Sequence, residues 1–196
     1  MKFEAMRAGE TIRNHATGET LTMLEGEQES GGVRQLYAVR VPPRRPSPPM
    51  HYHVAFTERF TVMEGALDFY LGRERQRVTL APGQSVTAEI GQPHTFGNDR
   101  DEWTTFTVET RPPGGVVAAF QMAYAVANAG GAAKDGLPRN PIVRLVFIRT
   151  SQGFLPGVPL FLQRGLFALA AWVARVSGMD RGRDTHAGGG THASRA

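Results

Sequence analysis

The chain has 196 residues, of which 41% are hydrophobic. A chain of this size can bury one sizeable core, so we expect a single domain with appendages. The absence of cysteine excludes disulfides, iron–sulfur clusters, cysteine-ligated zinc sites and thiol nucleophiles. Residues 1–110 hold 12 basic and 15 acidic side chains, whereas residues 111–196 hold 10 basic and 3 acidic ones. Because the basic residues of the second half stand singly, outside any nucleic-acid-binding pattern, we expect no nucleic-acid partner.

The first ten residues, MKFEAMRAGE, alternate charged and apolar side chains. A secretory signal peptide carries an apolar run at this position. The lack of cysteine also fits a reducing compartment. Together these features predict a cytosolic protein.

Short strands separated by turn residues dominate the first 110 residues. Alternating or continuous apolar stretches of strand length lie at 19–26, 34–41, 66–72, 77–90 and 104–110. The segment PPRRPSPP at 42–49 cannot be a central strand, because proline lacks the backbone N–H, and we interpret it as an extended connector. About eight short strands without intervening helices predict an antiparallel sandwich or barrel.

Residues 111–178 have helical periodicity instead. One helix is predicted over 115–130, where apolar side chains recur at Val116, Phe120, Tyr124 and Ala127. A second is predicted over 165–178, with an apolar stripe formed by Leu166, Leu169, Val173 and Val176. We therefore expect a β-barrel over 1–110, a helical appendage over 111–178 and a disordered tail over 179–196.

The appendage is net basic and the barrel half is net acidic. We expect the appendage to pack on its own barrel or on that of a neighbouring copy, where it lids the barrel mouth or forms a homodimer. The competing hypothesis is a peripheral membrane contact made by a basic amphipathic helix. No integral span is expected, because Arg149, Arg164 and Arg175 interrupt the apolar stretches before they reach roughly 18–20 residues.

The stretch MHYHVAFTERFTVMEG, residues 50–65, carries two histidines one residue apart. On a strand, alternate side chains share a face, so His51 and His53 lie side by side. Glu58 has the wrong parity for that face on an unbroken strand, and a bend in VAFT must fold its carboxylate back toward the two rings. Two nitrogens and one oxygen that converge in this way predict a metal site.

A third imidazole is available in the same half of the chain. Of the six histidines, His15 lies in a polar hairpin turn, and His186 and His192 lie in the predicted tail. His94 follows a strand and a Gly–Pro turn and enters another short strand. His94 is therefore the natural third imidazole.

The segments HYHVAFTERFTVMEG at 51–65 and GQSVTAEIGQPHTFGN at 83–98 resemble the two signatures of the cupin superfamily in order and spacing. Two positions depart from the family pattern, since Arg45 replaces a glycine and Glu89 replaces a proline. The resemblance is to small single-domain bacterial cupins, among them quercetinase-like proteins, and it extends into the helical half. It implies an all-β jelly-roll barrel with a C-terminal helical extension. It also implies one divalent metal, and the expected ligands are His51, His53, Glu58 and His94.

Three neutral imidazoles and one carboxylate suit iron, manganese, nickel, cobalt or zinc, and they disfavour calcium and magnesium, which prefer oxygen donors. In octahedral geometry two positions stay open for water, substrate or dioxygen. Iron or manganese is favoured, because such sites in cupins often serve dioxygenases. Glu58 is the expected catalytic residue, as metal ligand, as base, or as both.

Three functions remain open, each with a small-molecule partner. The first is a dioxygenase that acts on an enol, catechol or polyphenol. The second is a redox-neutral isomerase, lyase or cyclase, in which the metal polarises a carbonyl group. The third is a binding module without turnover. Because one fold hosts many functions, the choice among them rests on analogy, and we favour the dioxygenase.

Overall fold

The computed structural model describes residues 3–133 and 136–179. The strands found there are β1 Thr11–Arg13, β2 Thr20–Glu25, β3 Gln35–Val41, β4 Tyr52–His53, β5 Thr57–Glu64, β6 Leu67–Leu71, β7 Gln76–Leu80, β8 Ser85–Ala88, β9 His94–Gly97, β10 Thr104–Arg111 and β11 Gly153–Phe154. The helices are α1 Val116–Asn128, α2 Pro141–Thr150 and α3 Leu160–Val176.

Antiparallel pairing organises the strands into one large and two small sheets. The large sheet has the order β1-β2-β3-β10-β5-β8, and a second sheet has the order β7-β6-β9. Strand β10 lies between β3 and β5, so that Phe106 is paired with Val39 on one side and with Val62 on the other. The third sheet joins β11 to β4, and therefore ties the helical half to the strand that carries His53.

Aromatic rings join the two larger sheets across the core. Phe60 of the large sheet lies 4.7 Å from Phe69 and 5.5 Å from Phe96 of the three-stranded sheet, measured between ring centroids. Phe96 also lies 5.2 Å from Phe106. These alternate, inward-facing positions produce the buried layer of a jelly roll. The predicted all-β barrel with a C-terminal helical extension is confirmed.

Helix α1 packs on the barrel through the side that its periodicity predicted. Val116, Tyr124 and Ala127 are buried, and Phe120 packs against the same core cluster. At the start of the helix, Gly115 lies so close to the carbonyl oxygen of Thr150 that any Cβ there would overlap it. Glycine at 115 therefore permits the contact between α1 and the end of α2.

Helix α2 lies between the two predicted helices, where the sequence analysis places none, and Arg144 and Arg149 interrupt its apolar residues. The sequence does contain a start signal. Asn140 caps the helix by accepting hydrogen bonds from the backbone N–H groups of Ile142 at 2.9 Å and Val143 at 3.3 Å, and Pro141 occupies the first turn.

Helix α3 turns its predicted apolar stripe outward. Leu166, Leu169 and Val176 are exposed, and the buried face consists of Gln163, Phe167, Ala170 and Ala174. Gln163 explains the orientation, since its amide bonds to both backbone groups of Leu155 and to the carbonyl of Val158. None of the helices in the described ranges has the length and apolar run required to cross a bilayer. Apart from Met179, the predicted tail 179–196 lies outside the described residues.

Candidate metal centre

The connector 42–49 delivers the chain to the mouth of the barrel, where the two histidines of the first motif are positioned. His51 pairs with His94 through two backbone hydrogen bonds of 3.0 and 2.7 Å. His53 lies on β4, and bends at residues 54–55 lead into β5. The bend brings Glu58, the second residue of β5, back toward the histidines.

The structure brings together all four residues that the motifs singled out. One potential ligand atom from each of His51, His53, Glu58 and His94 lies within 4.8 Å of the others. The ring centroids of the three histidines are 4.5 to 5.5 Å apart. His15, which the sequence analysis set aside, is exposed in a turn, and His186 and His192 lie outside the described residues.

Backbone carbonyl groups hold all three imidazoles in the same way. Nδ1 of His51 lies 2.8 Å from the carbonyl oxygen of Pro49, and Nδ1 of His94 lies 3.1 Å from that of Gln92. Nδ1 of His53 lies 3.1 Å from the carbonyl oxygen of Gln152. A carbonyl only accepts, so each Nδ1 can donate to its carbonyl partner, and a ring in that neutral tautomer has its lone pair on Nε2. Such carbonyl partners orient histidine ligands in metal sites.

Two of these Nε2 atoms face the same carboxylate oxygen. Oε2 of Glu58 lies 2.9 Å from Nε2 of His94 and 3.1 Å from Nε2 of His53. Among the described residues, the buried Nε2 of His53 has no hydrogen-bond partner. Donor atoms about 2.1 Å from one ion and at right angles to each other lie roughly 3 Å apart, which is the spacing found here.

The charge states also suit a divalent cation. Burial raises the pKa of the Glu58 carboxyl, but its contacts with His53 and His94 outweigh burial and hold that pKa well below its ordinary value. Burial is the main cause that lowers the pKa of His51 to about 3, and electrostatic repulsion from the neighbouring rings of His94 and His53 adds to it. At neutral pH the cluster therefore contains an ionised carboxylate and a neutral His51 ring, and metal ligands need these states. The residues fit a transition metal and could bind one.

The helical half also contributes to this site, through contacts of individual residues that the sequence does not signal. Gln152, whose carbonyl holds His53, lies between α2 and β11 in a left-handed conformation with φ 55°. The next residue, Gly153, pairs with His53 across the two-stranded sheet and lies beside the ring of His51. No pattern in the sequence signals that residues about 100 positions later support the HxH motif, because the pairing is purely tertiary.

A cavity of about 180 Å³ opens above the cluster, and His51, His53 and Glu58 line it. Its remaining wall is mainly apolar and comes from both halves of the chain. The barrel contributes Val39, Phe60, Phe96 and Phe106, and the helices and β11 region contribute Phe120, Phe147, Ile148 and Leu155. A small organic molecule with an apolar body suits such a cavity.

Polar groups are concentrated at a few points of the cavity wall. Arg45 forms an ion pair with the buried Glu19 at 2.7 Å, and the Tyr124 hydroxyl donates a 2.7 Å hydrogen bond to the same carboxylate. Arg45, at the position where the cupin pattern has glycine, thus ties the connector to α1. Tyr37 is also buried at the cavity, where burial and the Glu58 charge raise its pKa. Sequence reasoning did not identify Tyr37, because a tyrosine on a core strand is indistinguishable from ordinary packing.

Residues 37–108 match a protein family described as a cupin domain, and all four cluster residues lie within the match. A comparison with curated proteins finds no match.

Solved structures with a similar arrangement include three bacterial proteins. A predicted oxalate decarboxylase from Thermotoga maritima is 17% identical, with a TM-score of 0.45 over 54% of this chain and 93% of that chain. The polyketide cyclase RemF from Streptomyces resistomycificus is 23% identical, with a TM-score of 0.43 over 56% of this chain and 76% of its own. A cupin-superfamily sugar phosphate isomerase from Silicibacter pomeroyi is 26% identical, with a TM-score of 0.42 over 54% and 69% respectively.

The family match covers the central strands of the barrel, from β3 to β10, and includes both histidine motifs. Residues 37–108 of this chain are therefore a cupin domain.

Proposed function

We propose that this protein is a metal-dependent cupin enzyme that binds one divalent transition metal through His51, His53, Glu58 and His94 and acts on a small organic substrate. The observation that carries the proposal is the common arrangement of the three imidazoles. Each has its Nδ1 against a backbone carbonyl, so its Nε2 is left for a cation beside the Glu58 carboxylate. An apolar cavity above the cluster supplies space for the substrate.

The residues of the chain would bind and orient the substrate. The aromatic wall favours a flat, mainly apolar molecule, such as an enol, catechol or polyphenol, and excludes water from its reacting edge. Glu58 is the proposed catalytic residue, because its carboxylate lies beside His53 and His94 and lines the cavity, where it can accept the proton of a substrate hydroxyl group. A bound iron or manganese ion would supply Lewis acidity and the one-electron chemistry that dioxygen requires.

Within this class we propose a dioxygenase. Such an enzyme transfers both atoms of O₂ to the substrate, and the substrate provides all four electrons, so no external reductant is needed. Support comes from the open side of the cluster toward the cavity and from the analogy with quercetinase-like cupins. A homodimer and a cytosolic location stay predictions.

Metal content tests the site. We expect the full chain, purified without an affinity tag, to contain close to one transition-metal ion, and we expect His53→Ala and His94→Ala to lose most of it, because each removes one fixed donor. His15→Ala is the matched control, since His15 is exposed and is not one of the clustered residues. Full metal occupancy in a His53→Ala/His94→Ala double variant would refute the assignment.

Oxygen dependence tests the reaction. The Fe(II) or Mn(II) protein should consume O₂ in step with the loss of a catechol or polyphenol, and strict anaerobiosis should stop turnover. Conversion by the zinc-loaded protein without oxygen would instead indicate an isomerase, lyase or cyclase, for which carbonyl polarisation suffices. Ligand-dependent stabilisation without any product would indicate a binding module.

A further inference from the structure

Helix α3 carries an apolar face that no described part of the chain covers. Phe161 is 73% exposed and Trp172 is 59% exposed. Four more large side chains are exposed on the same helix, namely Leu162, Leu166, Leu169 and Val176. At 100° per residue these positions occupy one sector of about 140°. Isolated exposed apolar residues are common, but a continuous face of this width on one helix indicates an interaction surface.

The charge around this face has one sign. Arg164 and Arg175 are exposed and lie together along the edge of the sector beside Phe161. Throughout 111–133 and 136–179 the described chain contains arginines but no aspartate or glutamate. The surface that α3 presents is therefore apolar in the middle and cationic at its edge.

Two candidates from the chain itself are poor partners for this face. Residues 180–196 contain no large apolar side chain that could cover it. A second copy that paired through α3 would bring its own Arg164 and Arg175 to the interface, and residues 111–133 and 136–179, as the structure describes them, include no carboxylate to neutralise them. An anionic lipid surface matches both properties, because its acyl boundary accepts apolar side chains and its headgroups attract arginine.

We propose that α3 docks the protein on the surface of an anionic membrane, with its axis in the plane of the interface. Phe161 and Trp172 lie three turns apart on the same side and enter the headgroup boundary, where aromatic side chains are favoured. Arg164 and Arg175 contact the lipid phosphates beside them. Leu155, which is also exposed, lines the cavity of the candidate metal centre, so the cavity wall and the proposed membrane surface lie close together in the chain.

Tryptophan fluorescence tests this docking directly. The chain has two tryptophans, and Trp103 lies in the barrel under the guanidinium of Arg40. In the full-length Trp103→Phe variant, emission therefore reports on Trp172 alone. We expect a blue shift with vesicles of phosphatidylcholine mixed with phosphatidylglycerol, and none with phosphatidylcholine alone. High salt should reverse the shift, since it screens the arginine contribution.

Matched double variants separate charge at α3 from total charge. Arg164→Ala/Arg175→Ala should weaken co-sedimentation with the anionic vesicles by about 30-fold, because each arginine near the surface contributes roughly 1 kcal/mol. Arg59→Ala/Arg73→Ala removes the same charge from exposed barrel positions and should leave vesicle binding almost unchanged. Circular dichroism and metal content should be the same for both variants.

Three results would overturn the proposal. One is the absence of binding to anionic vesicles, and another is equal loss of binding in the two double variants. The third is a dimer in sedimentation velocity whose Trp172 is already protected from an aqueous quencher without lipid, which would assign the α3 face to a second copy.

Discussion

At the scale of single residues, the candidate metal centre depends on the contacts that Nδ1 of each histidine makes, on the side of the imidazole away from the cluster. The carbonyl oxygens of Pro49, Gln92 and Gln152 determine which nitrogen of each histidine carries the proton. The ring of Phe56 also restricts the tilt of the His53 imidazole, since the two rings stack with their centroids 4.3 Å apart. Ligand geometry is thus prepared by the fold before any ion is bound, which raises affinity by reducing the ordering that binding requires.

Asp68 shows how a charge is accommodated in the same barrel. It is fully buried on β6 and accepts hydrogen bonds from Arg77, Thr79 and Arg100 at 2.9, 2.6 and 3.1 Å. Burial raises the pKa of the Asp68 carboxyl, but the bonds from Thr79, Arg77 and Arg100 together lower it below the ordinary value. The carboxylate joins β6, β7 and the loop after β9.

We expect Asp68→Asn to lower the free energy of unfolding by about 1–3 kcal/mol at neutral pH, because the amide cannot replace the charged acceptor. A depressed carboxyl pKa adds stability above the ordinary aspartate pKa of about 3.9, and that stability is lost as the pH falls through the folded-state value. The difference between wild type and variant should therefore shrink below about pH 4. Urea denaturation at a series of pH values measures it.

Asp101→Asn is the control for this prediction. Asp101 also pairs with an arginine, Arg44, but its side chain is 80% exposed. Exposed ion pairs contribute little, so this variant should retain almost all of the wild-type stability. Equal effects of the two substitutions would contradict the structural role given to Asp68.

At the scale of elements, α2 depends on its start signal more than on an apolar stripe. None of its residues is fully buried. The helix contacts α1 and α3, and some of its side chains line the cavity. The cap from Asn140 satisfies two of the backbone N–H groups that the first turn leaves without helical partners. A helix with so little buried surface gains a relatively large share of its stability from its ends.

Asn140→Ala should therefore lower stability by about 1 kcal/mol. Chemical denaturation followed by far-ultraviolet circular dichroism measures the change. Asn140→Ser keeps a side-chain acceptor at the cap and should recover most of the loss. An alanine variant as stable as the serine variant would mean that the cap contributes nothing.

At the scale of the whole molecule, barrel and helices share one site. The pairing of β11 with β4 places the Gln152 carbonyl against His53, and α1 and α2 contribute to the cavity wall. The division into a barrel over 1–110 and an appendage over 111–178 stays a prediction. In the structure, both parts contribute contacts to the candidate metal centre.

Gly153→Pro tests this coupling. Proline forces the preceding residue toward extended backbone, whereas Gln152 has φ 55°, so the carbonyl that holds His53 should move away. We expect metal affinity to fall by about 10- to 100-fold, which is typical when a hydrogen-bond partner of a histidine ligand is lost. The melting temperature of the protein should change little. Competition with a chelator measures the affinity.

Gly153→Ala is the matched control, since an added Cβ there meets its neighbours at 3.3 Å or more. It should leave metal affinity close to that of the wild type. If the proline variant bound metal equally well, the contact between Gln152 and His53 would have no role in the site.

Patterns in the sequence are sufficient to predict the barrel and the four converging side chains. Strand periodicity is local, and the alternation of faces places His51 beside His53 without reference to the rest of the chain. The bend before Glu58 followed from parity, and His94 was the natural third imidazole in the barrel half. The strands and the bend depend on neighbours within a few residues, so a linear pattern is sufficient to predict them, whereas His94 followed from the positions of the other histidines.

Long-range contacts determine which parts of the second half meet the barrel, and no local pattern encodes them. The periodicity of α3 predicted a helix with an apolar stripe, but the hydrogen bonds of Gln163 to the loop 155–158 turn that stripe outward. The contact of Gln152 with His53 joins residues 99 positions apart and leaves no mark in either segment. The reason is physical: periodicity shows which side of an element is apolar, and the partner of that side depends on long-range packing and hydrogen bonds.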